Sequence, residues 1–199
     1  MSLKILLTHP FCWPYVRRGA ERLLAEISSY LAGRGHEVTV LTSKPGSEEI
    51  VREGEVRVIR KRQLSHPILR RLRLGPERLF FFTCLRFMSR NRFDVIYCIF
   101  PYDCCAARMT GVFTKVPYIQ FLAGIPIAAY FRRRPLDNLA FRFAKNGAAE
   151  VIVISEVAQE YLRSEFGRSG LLIPVPSDLE RFQLRIGRDL ARPRILCSA

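Results

Sequence analysis

The first 42 residues constrain the fold more than any other stretch of the chain. A strand-like apolar run, Lys4–Thr8, leads into a loop rich in proline and aromatic residues that ends at Gly19. Apolar residues then recur at helical spacing as far as Leu31, and Val38–Leu41 is a second β-rich run. A strand, a helix and a strand within about 40 residues form the unit that builds parallel sheets. Because ligands of such sheets bind beyond the carboxyl ends of the strands, the loop from His9 to Gly19 is the first candidate site.

The rest of the chain continues this alternation. Apolar and β-branched runs predict further strands at residues 56–59, 93–99, 116–121, 150–154 and 170–173. Helices are predicted from Pro76, over 104–112, over 127–146 with a break or restart at Pro135, and over 156–166. Residues 43–47 are interpreted as a polar turn. The alternation predicts an α/β domain in which helices cover a mostly parallel sheet.

The net charge of +14 is concentrated in one part of the chain. Residues 57–92 contain eleven arginines and lysines against one glutamate, which is ten of the fourteen net charges. Such a balance favours acidic partners, namely phospholipid surfaces, nucleic acid or phosphorylated substrates. On the helix that begins at Pro76, one face carries four residues of interest: Arg78, Phe82, Arg86 and Arg90. This face is either a solvated basic surface, a contact with an anionic membrane, or a nucleic-acid contact.

The cysteines and histidines do not predict a metal site. None of the six cysteines forms a C-x-x-C pair and the three histidines are far apart, so buried reduced thiols of a cytosolic protein are expected. No D-x-D motif suggests a metal-bridged diphosphate. The longest charge-free run, residues 116–131, is shorter than the roughly 20 residues that span a bilayer. The N-terminus lacks the pattern of a signal peptide, because prolines and arginines interrupt its apolar region.

Five segments, in the same order along the chain, resemble motifs of one enzyme family. That family is the GT-B fold glycosyltransferases of family four, which are retaining enzymes with two Rossmann-like domains facing across a cleft. The segments are Arg-Gly-Ala-Glu-Arg at 18–22, Arg-Gly-His-Glu-Val-Thr-Val at 34–40, Phe-Asp-Val-Ile at 93–96, Val-Ile-Ser-Glu at 153–156, and Ile-Pro at 173–174 with Asp-Leu-Glu-Arg-Phe at 178–182.

The resemblance implies a Rossmann-like three-layer domain over residues 1–173, the N-terminal, acceptor-side half of a GT-B enzyme. Residues 174–199 are then a linker and the first strand of a C-terminal donor domain, supplied in the same chain or by a separate one. The complete enzyme would transfer a sugar from a nucleotide-sugar to a lipid-linked or cell-envelope glycan in bacterial polysaccharide or lipopolysaccharide synthesis. It would work in the cytoplasm, peripherally at the inner membrane, with no cofactor and no metal.

The same resemblance implies roles for particular residues. Arg18 and Gly19 would contact the donor diphosphate, where a glycine permits close approach of the backbone and helix amides favour an anion. Asp103, just beyond the strand at 93–99, could orient an acceptor hydroxyl or serve as a base, and a helix N-terminal role fits it equally well. The acceptor side of the cleft would include six residues: His9, Tyr15, Ala123, Gly124, Ser155 and Glu156. A structural or solvated role fits His9 as well, and Ser155 and Glu156 fit equally well as a helix cap and a first-turn acid.

The chain departs from the family pattern at positions close to the chemistry. Arg18 replaces the first glycine of the turn, Ala123 stands where a histidine is frequent, and Tyr97 and Ile99 occupy strand positions where the family often has histidine. These departures favour an alternative function, a non-catalytic or split-enzyme half that acts as a membrane-surface binding module with a separate donor-domain partner. A nucleic-acid-binding protein is a third possibility, but no recognition motif supports it.

Overall fold

The computed structural model describes residues 1–64, 71 and 74–175. The strands are β1 (Lys4–Thr8), β2 (Glu37–Lys44), β3 (Glu49–Glu53), β4 (Val56–Arg62), β5 (Val95–Cys98), β6 (Tyr118–Leu122), β7 (Glu150–Val153) and β8 (Leu171–Leu172). The helices in the described residues are α1 (Gly19–Gly33), α2 (Pro76–Met88), α3 (Pro101–Thr114), α4 (Ala128–Arg132), α5 (Pro135–Gly147) and α6 (Glu156–Phe166).

The eight strands form one sheet in the order β3-β4-β2-β1-β5-β6-β7-β8. Every neighbouring pair is parallel except β3 with β4. From β1 the chain therefore builds outward to β2 and β4 on one side, and later to β5, β6 and β7 on the other. This confirms the predicted α/β fold with a mostly parallel sheet.

The helices are distributed unequally over the two faces of the sheet. On one face, α1 packs Leu23 and Leu24 against β1, β2 and β4. On the other face, buried residues of α2 to α6 form a single core with β1, β5, β6 and β7. Both faces are apolar, which explains why the central strands read as nearly continuous hydrophobic runs.

The face that carries α1 has an apolar groove over β5, β6 and β7. The groove has a volume of about 350 Å³ and its lining is entirely apolar or aromatic. It is lined by Ile5, Leu23, Ile27, Leu31, Val95, Tyr97, Ile119, Phe121, Ile152, Ile173, Pro174 and Val175. We refer to these residues as the apolar groove.

The predicted element boundaries hold best where a cap or a proline sets them. Helix α6 begins and ends at the predicted residues, and the Ser155 side chain caps it by accepting a hydrogen bond from the Ala158 amide at 3.2 Å. Pro135 restarts the helix after α4, as expected. Helix α3 begins three residues earlier than predicted, because Pro101 occupies its first turn, a position that suits proline.

Strand β3 was not predicted and corrects the interpretation of the region after β2. Residue 44 still belongs to β2, and the following turn leads into a hairpin in which Glu49 pairs with Arg60 in register. The Glu49 carboxylate accepts hydrogen bonds from Lys44 and from the Arg60 guanidinium, the latter at 2.9 Å. This network of charges anchors the edge of the sheet, together with the packing of Val51 against the core.

Two further expectations concern the ends of the chain and the membrane. Most of the predicted linker, residues 176–199, lies outside the described residues. Within the described part of the chain, no helix combines the length and the apolar character needed to cross a bilayer.

Candidate functional site

A crevice opens at the point where the strand order reverses. The loop after β1 leads to α1 and β2 on one side, whereas the loop after β5 leads to α3 and β6 on the other. In open parallel sheets this divergence creates the ligand site. The crevice, of about 390 Å³, is lined by Phe11, Arg18, Glu77, Arg78, Phe100, Pro101, Tyr102, Tyr130, Phe131, Arg134 and Asp137. We refer to these residues as the crevice.

Aromatic rings form the wall behind which His9 lies. His9 is 2% exposed, and its ring meets those of Phe11 and Phe100 edge-on at centroid distances of 6.0 and 5.9 Å. Its Nδ1 lies 2.8 Å from the carbonyl oxygen of Phe11. Burial lowers the pKa of His9, so the ring is neutral at physiological pH. The structure thus places His9 behind the aromatic wall, where it supports the loop.

The floor of the crevice is an ion pair between α2 and α5. Asp137 Oδ1 accepts hydrogen bonds from the Arg78 guanidinium at 2.8 Å and from the Tyr102 hydroxyl at 2.5 Å. The Arg78 and Asp137 side chains are 15% and 11% exposed, so the pair is largely desolvated. Burial, reinforced by the bond to Asp137, raises the pKa of Tyr102 and keeps it a hydrogen-bond donor.

Arg18 lies at the entrance of the crevice and immediately precedes α1. Its Nε and Nη2 atoms donate to Glu21 Oε1 at 3.1 and 2.7 Å, and its guanidinium lies 4.9 Å from the centre of the Phe11 ring. The Glu21 side chain is fully buried, and its Oε2 has no hydrogen-bond partner among the described residues. The arginine that replaces a family glycine is therefore anchored by the acid three residues later.

Gly19 is the first residue of α1, and the space above it is open. A side chain built at this position meets no atom within 4 Å. Its backbone conformation is also outside the left-handed region. The protein therefore does not need glycine here for its own packing, whereas a ligand approaching the first turn of α1 would be obstructed by a larger residue.

The structure corrects the expectation that Asp103 faces the cleft. Asp103 is completely buried in the first turn of α3, where Oδ2 accepts from the Thr8 hydroxyl at 2.6 Å and Oδ1 from the Cys104 amide at 3.0 Å. Burial raises the pKa of Asp103 to about 8. It joins β1 to α3 and does not line the crevice. The helix N-terminal role, left open by the sequence, describes it better than a catalytic one.

One group of side chains could in principle hold a metal ion. Ligand atoms of Cys98, Asp103 and Cys104 lie within 4.8 Å of one another, and no similar group occurs elsewhere in the described residues. Burial raises the pKa of all three groups and so favours their neutral forms over the anions that bind metals. The five described cysteines are buried free thiols, as predicted, and Cys197 lies outside the described residues.

The remaining predicted cleft residues follow the same edge of the sheet but do not line the crevice. Tyr15 is half-exposed, and the Lys44 amino group lies 5.5 Å from its ring centre. Ala123 and Gly124 are exposed after β6, and Glu156 is exposed in the first turn of α6. Ser155 serves as the cap of that helix.

The predicted membrane-facing set on α2 divides into two parts. Arg78 turns away to form the crevice floor. Phe82, Arg86 and Arg90 line a separate groove of about 680 Å³ together with Lys61, Arg62, Leu64, Thr83, Phe87, Asn91 and Glu48. We refer to this second surface as the basic groove. Leu79, one residue after Arg78, is buried in the core.

The sequence contained a usable signal for Asp137 that was not recognised. Asp137 shares its helix face with Ala140, Phe141 and Ala144, at the spacing of a buried stripe. A carboxylate within such a stripe needs a partner, since an unpaired buried charge is costly. Local sequence patterns cannot predict that this partner is Arg78, because 59 residues separate Arg78 from Asp137.

Comparison with known proteins identifies the family. The model of Glycosyltransferase Family 4 matches residues 17–181, which is most of the chain. No curated protein matches the chain by sequence.

Solved structures share the fold at low sequence identity. Sucrose-phosphate synthase from Thermosynechococcus elongatus superposes with a TM-score of 0.69 at 18% identity, over 88% of this chain and 49% of that one. Anabaena HepE in complex with UDP-glucose gives a TM-score of 0.60 at 18% identity, over 89% of this chain and 45% of HepE. The chain thus spans about half the length of these proteins. A fragment of the synthase comprising residues 27–220 and 406–426 gives a TM-score of 0.62 at 16% identity, over 92% of this chain and 94% of the fragment. The chain belongs to Glycosyltransferase Family 4 and has the fold of the N-terminal domain of a GT-B glycosyltransferase.

Proposed function

We propose that this chain is the acceptor-side half of a retaining glycosyltransferase. The complete enzyme transfers a sugar from a nucleotide-sugar to a lipid-linked or cell-envelope glycan. The observation that carries the proposal is the crevice at the reversal of strand order in a chain of this family, because that is where open α/β sheets bind ligands.

The donor approaches the first turn of α1. HepE, a structural neighbour, is described in complex with UDP-glucose, which supports a nucleotide-sugar as donor. The amides at the start of α1 carry a partial positive charge, and Gly19 leaves room for a phosphate above them. Arg18 lies beside this point with its guanidinium held by Glu21. The helix amides and the open space above Gly19 suit a diphosphate.

The chain contributes positioning to the reaction and shapes one wall of the active site. The crevice holds the acceptor against the aromatic wall, with the Arg78–Asp137 pair below it. The donor-side domain supplies the facing wall, and closure of the two excludes water from the reacting groups. No catalytic base is assigned among the described residues. We therefore expect negligible sugar transfer by the 199-residue chain alone.

The donor site is tested by substituting valine for Gly19 and measuring the binding of UDP-glucose by ligand-observed NMR. We expect Gly19→Val to fold normally and to bind the donor at least tenfold more weakly, because the added side chain occupies the approach to the helix amides.

Gly33→Val, at the other end of α1 and equally open, is the matched control and should bind as the native chain does. Equal donor binding by Gly19→Val and Gly33→Val would contradict the diphosphate site. Turnover of a UDP- or GDP-sugar by the isolated 199-residue chain would contradict the requirement for a second domain.

Peripheral attachment to an anionic membrane is a second function, favoured by one observation. Phe82 is 58% exposed on α2, beside the basic groove that contains Arg86, Arg90 and Lys61. An exposed aromatic ring among arginines is typical of proteins that adsorb to anionic lipid. This property is compatible both with a transferase acting on a lipid-linked acceptor and with a non-catalytic binding half.

A further inference from the structure

Two arginines that line the crevice are exposed to solvent. The Arg18 and Arg134 side chains are 60% and 54% exposed. Each is held in place by an aromatic ring, since Arg18 lies 4.9 Å from the Phe11 ring centre and Arg134 lies 4.5 Å from that of Tyr130. Both guanidinium groups are therefore positioned at the crevice before any ligand arrives.

Most of the hydrogen-bonding capacity of these two arginines is available to a ligand. A guanidinium has five N–H donors. Within the described part of the chain, Arg18 donates from Nε and Nη2 to Glu21, and Arg134 donates from Nη1 to the Tyr130 hydroxyl at 2.9 Å. The nearest carboxylate contact of Arg134 is Asp137 Oδ2 at 3.8 Å, which is too long for a hydrogen bond.

The crevice has two carboxylates, Asp137 and Glu77. Asp137 Oδ1 accepts from both Arg78 and Tyr102 at the floor. The Glu77 carboxylate folds back over Gly75, at the start of its own helix, where its oxygens lie 2.4 and 2.5 Å from the position a Gly75 Cβ would take. The two exposed arginines therefore add positive charge to a crevice whose remaining acid is Glu77.

The crevice otherwise has the properties of a sugar site. Its volume of about 390 Å³ falls within the range of small-molecule sites, and its walls combine aromatic rings with a few polar groups. The rings of Phe100 and Tyr130 offer flat apolar faces for a sugar ring, while Asp137 at the floor can accept from a hydroxyl through Oδ2.

We propose that the crevice selects an acceptor sugar that carries an anionic substituent, a phosphate or a carboxylate, bound between Arg18 and Arg134. This inference deepens the proposed function. It rests on that function only in identifying the bound sugar as the acceptor. The planar fork of arginine matches both oxyanions and discriminates against a neutral sugar of the same shape.

The test compares three sugars on the full 199-residue chain by NMR titration: glucose 6-phosphate, glucuronic acid and glucose. We expect both anionic sugars to bind at least tenfold more tightly than glucose. Arg134→Ala should weaken the binding of glucose 6-phosphate at least tenfold, which is about the effect of losing one charge-assisted hydrogen bond. Arg134→Lys should recover only part of the loss, because lysine lacks the fork.

Arg133→Ala is the matched control. Arg133 is exposed, adjacent in sequence and outside the crevice, and its loss removes the same charge. We expect less than a twofold change in the binding of glucose 6-phosphate. Thermal unfolding of each variant establishes that the fold is intact. Because both side chains are exposed, substituting either one should leave the unfolding temperature unchanged.

Several outcomes would overturn the proposal. It fails if glucose binds as tightly as the anionic sugars, if none of the three binds, or if Arg133→Ala weakens binding as much as Arg134→Ala. Inorganic phosphate binding as tightly as glucose 6-phosphate would exclude a sugar site. UDP-glucose losing more affinity than glucose 6-phosphate in Arg134→Ala would assign the arginines to the donor. If donor binding still depends on Gly19 in any of these cases, the proposed transferase function stands without the anionic acceptor.

Discussion

At the scale of a single residue, Asp103 makes the stability of the fold depend on pH. It is completely buried, and burial raises its pKa to about 8 from an unfolded value of about 3.9. The native state therefore holds the proton more tightly than the unfolded chain does. The contribution of Asp103 to stability is full below about pH 4, declines as the pH rises through the window up to about 8, and is lost above it.

We predict that the Asp103→Asn variant loses less stability than the native protein as the pH rises from 5 to 8. Asparagine keeps an acceptor for the Thr8 hydroxyl but cannot ionise. The free energy of unfolding, measured by urea titration at the two pH values, should fall less in this variant than in the native protein. Asp94→Asn, at an exposed position, should retain the native pH dependence. Identical slopes in all three proteins would show that Asp103 does not titrate in this window.

At the scale of an element, α6 is the helix whose start depends most clearly on one side chain. The Ser155 hydroxyl accepts from the Ala158 amide at 3.2 Å, and no other described helix has a side-chain cap at its N-terminus. We predict that Ser155→Ala lowers the free energy of unfolding by about 1 kcal/mol, as the loss of an N-cap does elsewhere. Chemical denaturation measures this change.

Ser164→Ala is the corresponding control, since Ser164 lies exposed within the same helix and its hydroxyl bonds only carbonyls of the preceding turn. It should be neutral or slightly stabilising, because alanine is the better helix former. An equal loss in the two variants would mean that the effect at Ser155 comes from general sensitivity of α6 and that the cap contributes little.

The contrast between α6 and β3 explains which elements the sequence could predict. The helix combines a cap residue, an apolar stripe and a terminal glycine, and each of these has a local signature. Strand β3 (Glu49–Glu53) has no fully buried residue, three of its five residues are charged, and only Val51 packs against the core. It forms because Lys44 and Arg60 bind its glutamates, and these contacts join residues that local patterns cannot relate.

At the scale of the whole molecule, the concentration of positive charge produces one surface suited to lipid. The basic groove contains Lys61, Arg62, Arg86 and Arg90 with one acid, Glu48, and Phe82 stands exposed beside them. We predict that the chain floats with vesicles containing anionic phospholipid and does so less at high salt, because the attraction is electrostatic.

Phe82→Ser should reduce flotation severalfold by removing the ring that inserts at the interface. Phe113→Ser removes an even more exposed phenylalanine from α3 and should leave flotation unchanged. Equal flotation by both variants would exclude the basic groove as the contact. Release of the chain from vesicles by duplex or single-stranded nucleic acid would instead favour a nucleic-acid contact.

The fold could be predicted from the sequence more completely than the crevice. Each strand and helix of the parallel sheet leaves a local pattern, and five short motifs in order identified the family before any coordinates. The crevice depends on side chains such as Arg78 and Asp137, which meet across 59 residues. A helical wheel predicts a membrane-facing position for Arg78, because the wheel gives the direction of a side chain but not the neighbour that it meets.

Strand β3 has a further consequence for self-association. An unprotected sheet edge can recruit identical strands and polymerise into fibrils. Within the residues that the structure describes, one edge of the sheet is β3, a short strand with glutamates at both ends, and the other is β8, with only two residues. Neither edge is a good template for backbone pairing. The chain should therefore resist amyloid-type growth from its edges, and any clustering at high concentration should instead involve side-chain surfaces such as the apolar groove.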